Sequence, residues 1–324
     1  MLIQVSSADL AGCRYAISPL IETTSAMRVL VGTDPAGVLG PWKERMRPAL
    51  AALRASDPAV GAWISLFRRD DNADFLHPPP SGLASFRDEL DRVRATPLRT
   101  ARAELARNLA GHRRPPGYAQ RILDSPEVVD RLADAIAATW AALIEPEWSR
   151  LRAVLERDIV QRAGRLAAYG WATALADLHP RVSWTTDGAI AVRHRDTGHY
   201  RLEGHGLVFG PSVFADLVLT TEPGLPVALV YRARGIADIL GPPPDPPAGD
   251  ALGPLLGPAR AAVLRALAAP ATTSQLVAQL GASLGSVGGH LAVLREAKLI
   301  SRTRTGRSVQ YAATPLGDAL MRGE

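Results

Sequence analysis

Cysteine is nearly absent from this chain. One residue, Cys13, in 324 excludes an internal disulfide and any cluster of thiolate metal ligands. Its plain reading is a small buried apolar side chain. Lysine is almost as scarce, occurring only at Lys43 and Lys298, so arginine carries the positive charge. No apolar run approaches the roughly 18 to 20 residues that a membrane span needs, and the opening MLIQVSSADLAGCRY has neither the basic start nor the apolar core of a signal peptide. These absences predict a cytoplasmic protein without membrane contact. Also missing are the phosphate-cradling G-x-x-x-x-G-K loop, the G-x-S-x-G elbow and H-E-x-x-H. Nothing nominates an enzyme, so no catalytic residue, metal site or cofactor is expected.

What is present is an ordinary globular composition, 47% hydrophobic and 21% charged, in a chain long enough for two domains. The stretch GPPPDPPAGD at 241–250 is too rich in proline for helix or central strand. The expected division is therefore a first domain at 1–240, a Pro-rich linker at 241–257 and a second domain at 258–324. The second domain alone holds eight basic and three acidic side chains, the whole of the net charge of +5. A small basic module suits a polyanionic partner.

The first domain reads as helices from residue 18 to about 178. Ser18-Pro19 supplies an N-cap and a first-turn proline before Leu20, Thr24, Met27 and Val31, and Ser125-Pro126 precede Val129, Leu132, Ile136, Trp140 and Leu143. Residues 146–178 suit one long helix weakened at Gly164 and Gly170. Beyond 181 the pattern turns to short runs rich in Val, Thr and Tyr. Asp187-Gly188 between two of them signals a tight two-residue hairpin turn, and LIQVS at the start suits an edge strand. The fold class expected is α+β: a largely helical N-terminal domain with an antiparallel sheet, followed by a C-terminal winged helix-turn-helix.

That last element rests on residues 258–324. A helix near Ala259–Ala268 stops at Pro270; Thr272 or Thr273 caps a second helix, which ends at Gly281; Ser283 caps a third that runs to about Ala297. On the third helix Leu284, Val287, Leu291 and Leu294 form the expected buried face, leaving Ser283, Ser286, His290 and Val293 for a major groove. Two strands around Gly306 follow, with Arg302, Arg304 and Arg307 near the turn, and a helix at 315–321 closes the module. Guanidinium groups on such a hairpin suit phosphates or the minor groove.

The stretch SLGSVGGHLAVLREAKLISRTRTGRSVQYAAT resembles the arsenical-repressor-type regulators, whose pattern runs S-x-x-[ST]-V-S-x-H-L-x-x-L-[RK]-x-A-G-L-[IV] before a basic wing. Ser283, Ser286, Val287, His290, Leu291, Leu294, Arg295, Ala297, Leu299 and Ile300 match it. This chain departs at Gly288 and Gly289, often polar or basic in the family, and at Lys298, which stands where glycine is common. It also lacks the thiolates of the metal-sensing branch. The resemblance implies a homodimer on double-stranded DNA. The candidate contact set is then Thr273, Ser274, Ser283, Ser286, Val287, His290, Arg295, Arg302, Arg304 and Arg307. The N-terminal part, through ISPLIETTSAMRVL, GLVFGPSVFADLVL and PVALVYRARG, is similar to an uncharacterised domain found ahead of such winged helices.

The functional expectation is a DNA-binding transcription regulator, a homodimeric repressor whose first domain senses an unknown small effector. The alternative is an enzyme or ligand-binding domain with an appended winged helix used for protein contacts. His194, His199 and His205 with Asp196 and Glu203 can be drawn as a metal cluster, but their alternating positions suit a solvated sheet face better. Trp63, Trp140, Trp171 and Trp184 are read as core rather than as a ligand pocket.

Overall fold

A computed structural model describes residues 1–68, 73–80, 82, 84–176, 178–193, 198–221, 226–236, 252–268, 270–280, 282–305 and 308–322. Two compact units result: Met1–Trp148 with Arg162–Arg234, and Ser149–Gln161 with Gly235–Glu324. The α+β expectation is borne out, with helices, sheets that contain antiparallel pairs, and a C-terminal helix-turn-helix.

The first unit is organised round one helix. Following β1 (Leu2–Gln4), α1 (Ser7–Gly12) and β2 (Arg14–Tyr15), helix α2 (Pro19–Val31) is buried from Pro19 to Leu30. Its ends are set locally. The Ser18 hydroxyl accepts from the Ile21 amide, Pro19 occupies the first turn, and Gly32 closes the helix at φ 82°. A helix buried all round must also satisfy its polar side chains. Arg28 donates through Nε and Nη2 to the two carboxylate oxygens of Asp34, both at 2.8 Å, and through Nη1 to the Arg68 carbonyl. Around α2 pack α3 (Gly40–Ser56), α4 (Pro58–Ile64), α5 (Phe86–Arg94) and α8 (Val128–Thr139), with α6 (Leu98–Leu109) and α7 (Gly117–Leu123) beyond.

Helix α8 begins at Val128 rather than at Ser125 and continues through a π-turn at Trp140–Ile144. Its expected stripe, Val129, Leu132, Ile136, Trp140 and Leu143, is buried. Helix α9 (Trp148–Ala176) breaks at Gly170 (φ 75°) and stays helical through Gly164. The tryptophans do not share one pocket: Trp63 lies edge-on to Phe67, Trp140 stacks on Phe86, and Trp171 on Phe209.

Two four-stranded sheets complete the unit, each mixed where a single antiparallel sheet was expected. The first has the order β3 (Val182–Trp184), β4 (Ala189–Val192), β1, β5 (His199–Arg201). The N-terminal strand is therefore interior, antiparallel to β4 and parallel to β5, not an edge. The β3–β4 connection is a three-residue loop, not a two-residue turn. The Thr185 amide donates to the Ala189 carbonyl, and Gly188 takes the left-handed position (φ 77°) that such loops require. The second sheet has the order β2, β6 (Leu207–Ser212), β8 (Val227–Arg232), β7 (Leu217–Thr220), with only β7 antiparallel. Ile3, Ile190, Phe209, Leu229 and Tyr231 from both sheets share one core. Gly206 (φ 71°) joins them where no Cβ fits, since one would stand 2.3 Å from the Gly12 carbonyl carbon. Cys13 is half-buried rather than fully buried, its thiol donating to the Asp9 carbonyl.

In the second unit, α10 (Leu252–Leu256) falls within the interval read as linker, and Leu252 is buried in this unit's core. Then follow α11 (Pro258–Ala266), β9 (Ala271–Thr272), α12 (Thr273–Leu280), α13 (Leu284–Glu296), β10 (Ile300–Thr305), β11 (Ser308–Ala313) and α14 (Pro315–Arg322). Strand β11 pairs with both β10 and β9, a third strand not anticipated.

Candidate nucleic-acid interface

Local sequence fixes the ends of α12 and α13. The Thr272 hydroxyl accepts from the Gln275 amide, while the Gln275 side chain accepts from the Thr272 amide at 2.7 Å, a reciprocal box that sets the start of α12. Sequence reasoning named the threonine but missed Gln275, although the T-x-x-Q spacing is the signal. Thr273 is half-buried and Ser274 exposed in the first turn that follows. Ser283 caps α13 by accepting from the Ser286 amide.

On α13 the core takes Val287, Leu291 and Leu294, each no more than 2% exposed. Two expectations change as a result. Val287 belongs to the hydrophobic interior and has no surface to offer a ligand. Leu284, expected in the buried face, is 63% exposed, because the first turn extends past the packed part of the helix. Ser286 is exposed and His290 half-exposed, with Ser286 Oγ 3.3 Å from His290 Nε2; Val293 lies one turn further along.

At its other end α13 closes in a Schellman motif. The Lys298 amide donates to the Arg295 carbonyl and the Leu299 amide to the Leu294 carbonyl. Lys298 takes the left-handed position at φ 60°. Arg295 and Lys298 are exposed in this last turn, where cations suit the negative end of the helix dipole.

The hairpin comes next. Arg302 and Arg304 are exposed and two residues apart, so they share one face of β10, opposite Tyr311 and Val309 of β11. Gly306 and Arg307, between the paired Thr305 and Ser308, lie outside the described residues. The fold thus gathers Ser283, Ser286, His290 and Arg295 on one helix and Arg302 and Arg304 on the strand after it.

The first unit holds a separate feature with no sequence signal. A cleft of about 590 Å³ opens where the carboxyl ends of β1 and β5 meet the β3–β4 loop. Its lining includes Gln4, Asp9, Asp187, Arg201 and Glu203. Burial raises the Asp9 pKa, but hydrogen bonds from Ser6 and Gly204 outweigh it and hold the carboxyl below its ordinary value. Arg201 donates to Gln4 at 3.1 Å. Of the histidine region, His194 and Asp196 lie outside the described residues. Among the described residues no group of three or more His, Cys, Asp or Glu side chains is placed to hold a metal ion. No helix among them is long and apolar enough to cross a membrane.

Residues 255–303 match the model of a helix-turn-helix domain family, and residues 94–236 that of a family of unknown function (DUF5937). No curated protein and no solved structure matches the chain. The second unit therefore carries a helix-turn-helix of the kind found in DNA-binding transcription regulators.

Proposed function

We propose that this protein is a homodimeric transcriptional repressor of the arsenical-repressor type, acting in the cytoplasm, with β10–β11 as its wing. One observation carries the reading: α13 turns Ser286, His290 and Val293 outward while burying Val287, Leu291 and Leu294, and the strand after it exposes Arg302 and Arg304. In this reading α13 enters the major groove and the wing arginines hold phosphates or probe the minor groove. Thr273, Ser274 and Arg295 contact the backbone beside it. The two copies read half-sites about 34 Å apart on a pseudo-palindromic operator. Leu255 on α10 and Leu316 on α14, 64% and 57% exposed, offer apolar surface to a second copy.

The first unit is read as the sensor, not as an enzyme. Its cleft lies in the size range of small-molecule sites and combines a guanidinium, carboxylates and apolar wall from Leu2 and Val5. Effector binding shifts the equilibrium between two spacings of the recognition helices.

Genome-wide mapping of bound DNA tests this, using the wild type and an Arg304→Ala, Arg307→Ala variant. Discrete peaks that vanish in the variant are expected. Their absence with either protein favours a winged helix used for protein contacts.

A further inference from the structure

We propose that α13 reads its operator through thymine methyl groups, with Val293 as the contacting side chain. This rests on the DNA-binding reading above. The bidentate hydrogen bonds that discriminate bases most strongly come from arginine or lysine on guanine and asparagine or glutamine on adenine, whereas serine bonds to either and discriminates less. From Ser286 the groove-facing positions of a recognition helix recur at three, four and seven residues. Here they hold Ser286, Gly289, His290 and Val293, without an amide or guanidinium among them. Arg295, the only arginine or lysine of α13, stands two residues beyond Val293 and so about 200° round the helix from it.

The polar groups that are present are partly engaged. Ser283 Oγ accepts from the Ser286 amide at 3.2 Å, and Ser286 Oγ lies 3.3 Å from His290 Nε2. The apolar one, Val293, stands free to solvent at 43% exposed. Among unmodified bases only thymine presents a methyl group in the major groove, and apolar side chains are its natural complement.

The glycines of α13 point the same way. A Cβ at Gly285, Gly288 or Gly289 would meet no atom within 4 Å, and none of the three takes a positive φ. Neither packing nor backbone conformation within the chain requires them, although each costs about 1 kcal/mol against alanine in a helix. Their effect is a slim helix that seats deeply and brings Val293 to the groove floor.

The test begins with sites selected by the full-length protein from random duplex DNA. Each thymine is then replaced singly by deoxyuracil, which removes the methyl and keeps the base pairing. Wild-type affinity should fall about fourfold at each contacted thymine, the effect of losing one buried methyl-sized contact. Val293→Ala should abolish that sensitivity at one position of each half-site, whereas Leu284→Ala, on the opposite side of the helix, should leave it unchanged. Val293 and Leu284 are 43% and 63% exposed, so circular dichroism should show both variants folded. Sites bound equally well with thymine or uracil overturn the proposal, as does a Val293→Ala variant that keeps full wild-type sensitivity. Selection of no sequence at all overturns the DNA-binding reading itself, and this proposal with it.

Discussion

Lys298 occupies a backbone position that glycine would hold at less cost. At φ 60° its Cβ crowds the backbone, and the Schellman hydrogen bonds from Lys298 and Leu299 leave the helix no other way to end. Lys298→Gly should stabilise the second unit by about 1 kcal/mol, read from its urea midpoint in the full chain, and Lys298→Val should destabilise it. A Gly variant no more stable than wild type would mean that the lysine gains compensating contacts. Two other residues carry a pH dependence that sequence could not disclose. Glu22 is 1% exposed and accepts from the Val213 amide; Glu89, fully buried, accepts from the Ser18 hydroxyl and the Leu20 amide. Burial raises both to about 7, against hydrogen bonds and the charges of Arg232 and Arg92 respectively. A raised carboxyl pKa means that the folded state holds the proton more tightly than the unfolded chain. Glu22 therefore contributes most below its unfolded value of 4.5, and the contribution is lost as pH rises to about 7. Glu22→Gln keeps an oxygen for the Val213 amide. The stability of wild type minus that of the variant should fall across this window, with a slope approaching about 1.4 kcal/mol per pH unit. A difference that stays flat would contradict it. Using the difference cancels His77, which burial pushes down to about 4 and whose contribution is lost as pH falls.

At the scale of the element, local signals were legible and pairings were not. Val287, Leu291 and Leu294, four and three apart, gave the buried side of α13, and Ser18-Pro19 gave the start of α2, because caps and helical periodicity act over a single turn. Strand β9 is two residues long and exists through pairing with Gln310 and Tyr311, so no local pattern announces it. The first strand resembles an edge in isolation, and its interior place depends on residues 189–201 coming to both sides of it. The same distance hides the cleft, whose walls come from three separate stretches of chain. Val287 matched the family pattern for the very reason that it is core, and a motif does not separate packing from contact. Thr272 joins two elements, capping α12 while pairing β9 to β11. Thr272→Ala should lower the stability of the second unit by about 1 kcal/mol by removing the cap, whereas Thr272→Ser, which keeps the hydroxyl, should restore most of it. Equal loss in both variants would assign the effect to the strand instead.

Across the whole molecule, the net charge of +5 resides in residues 258–324, which lets one small module bind a polyanion while the balanced remainder stays neutral towards it. Binding must then depend on salt in proportion to the phosphates engaged. The decisive measurement is the affinity of the full chain for one selected duplex across a salt series, beside the Arg302→Ala, Arg304→Ala variant. The wild type should lose affinity linearly on logarithmic axes, and the variant should show a slope shallower by about 0.9 for each phosphate contact removed. A wild-type affinity indifferent to salt, or a variant with an unchanged slope, would contradict the assignment of this helix and hairpin to duplex DNA.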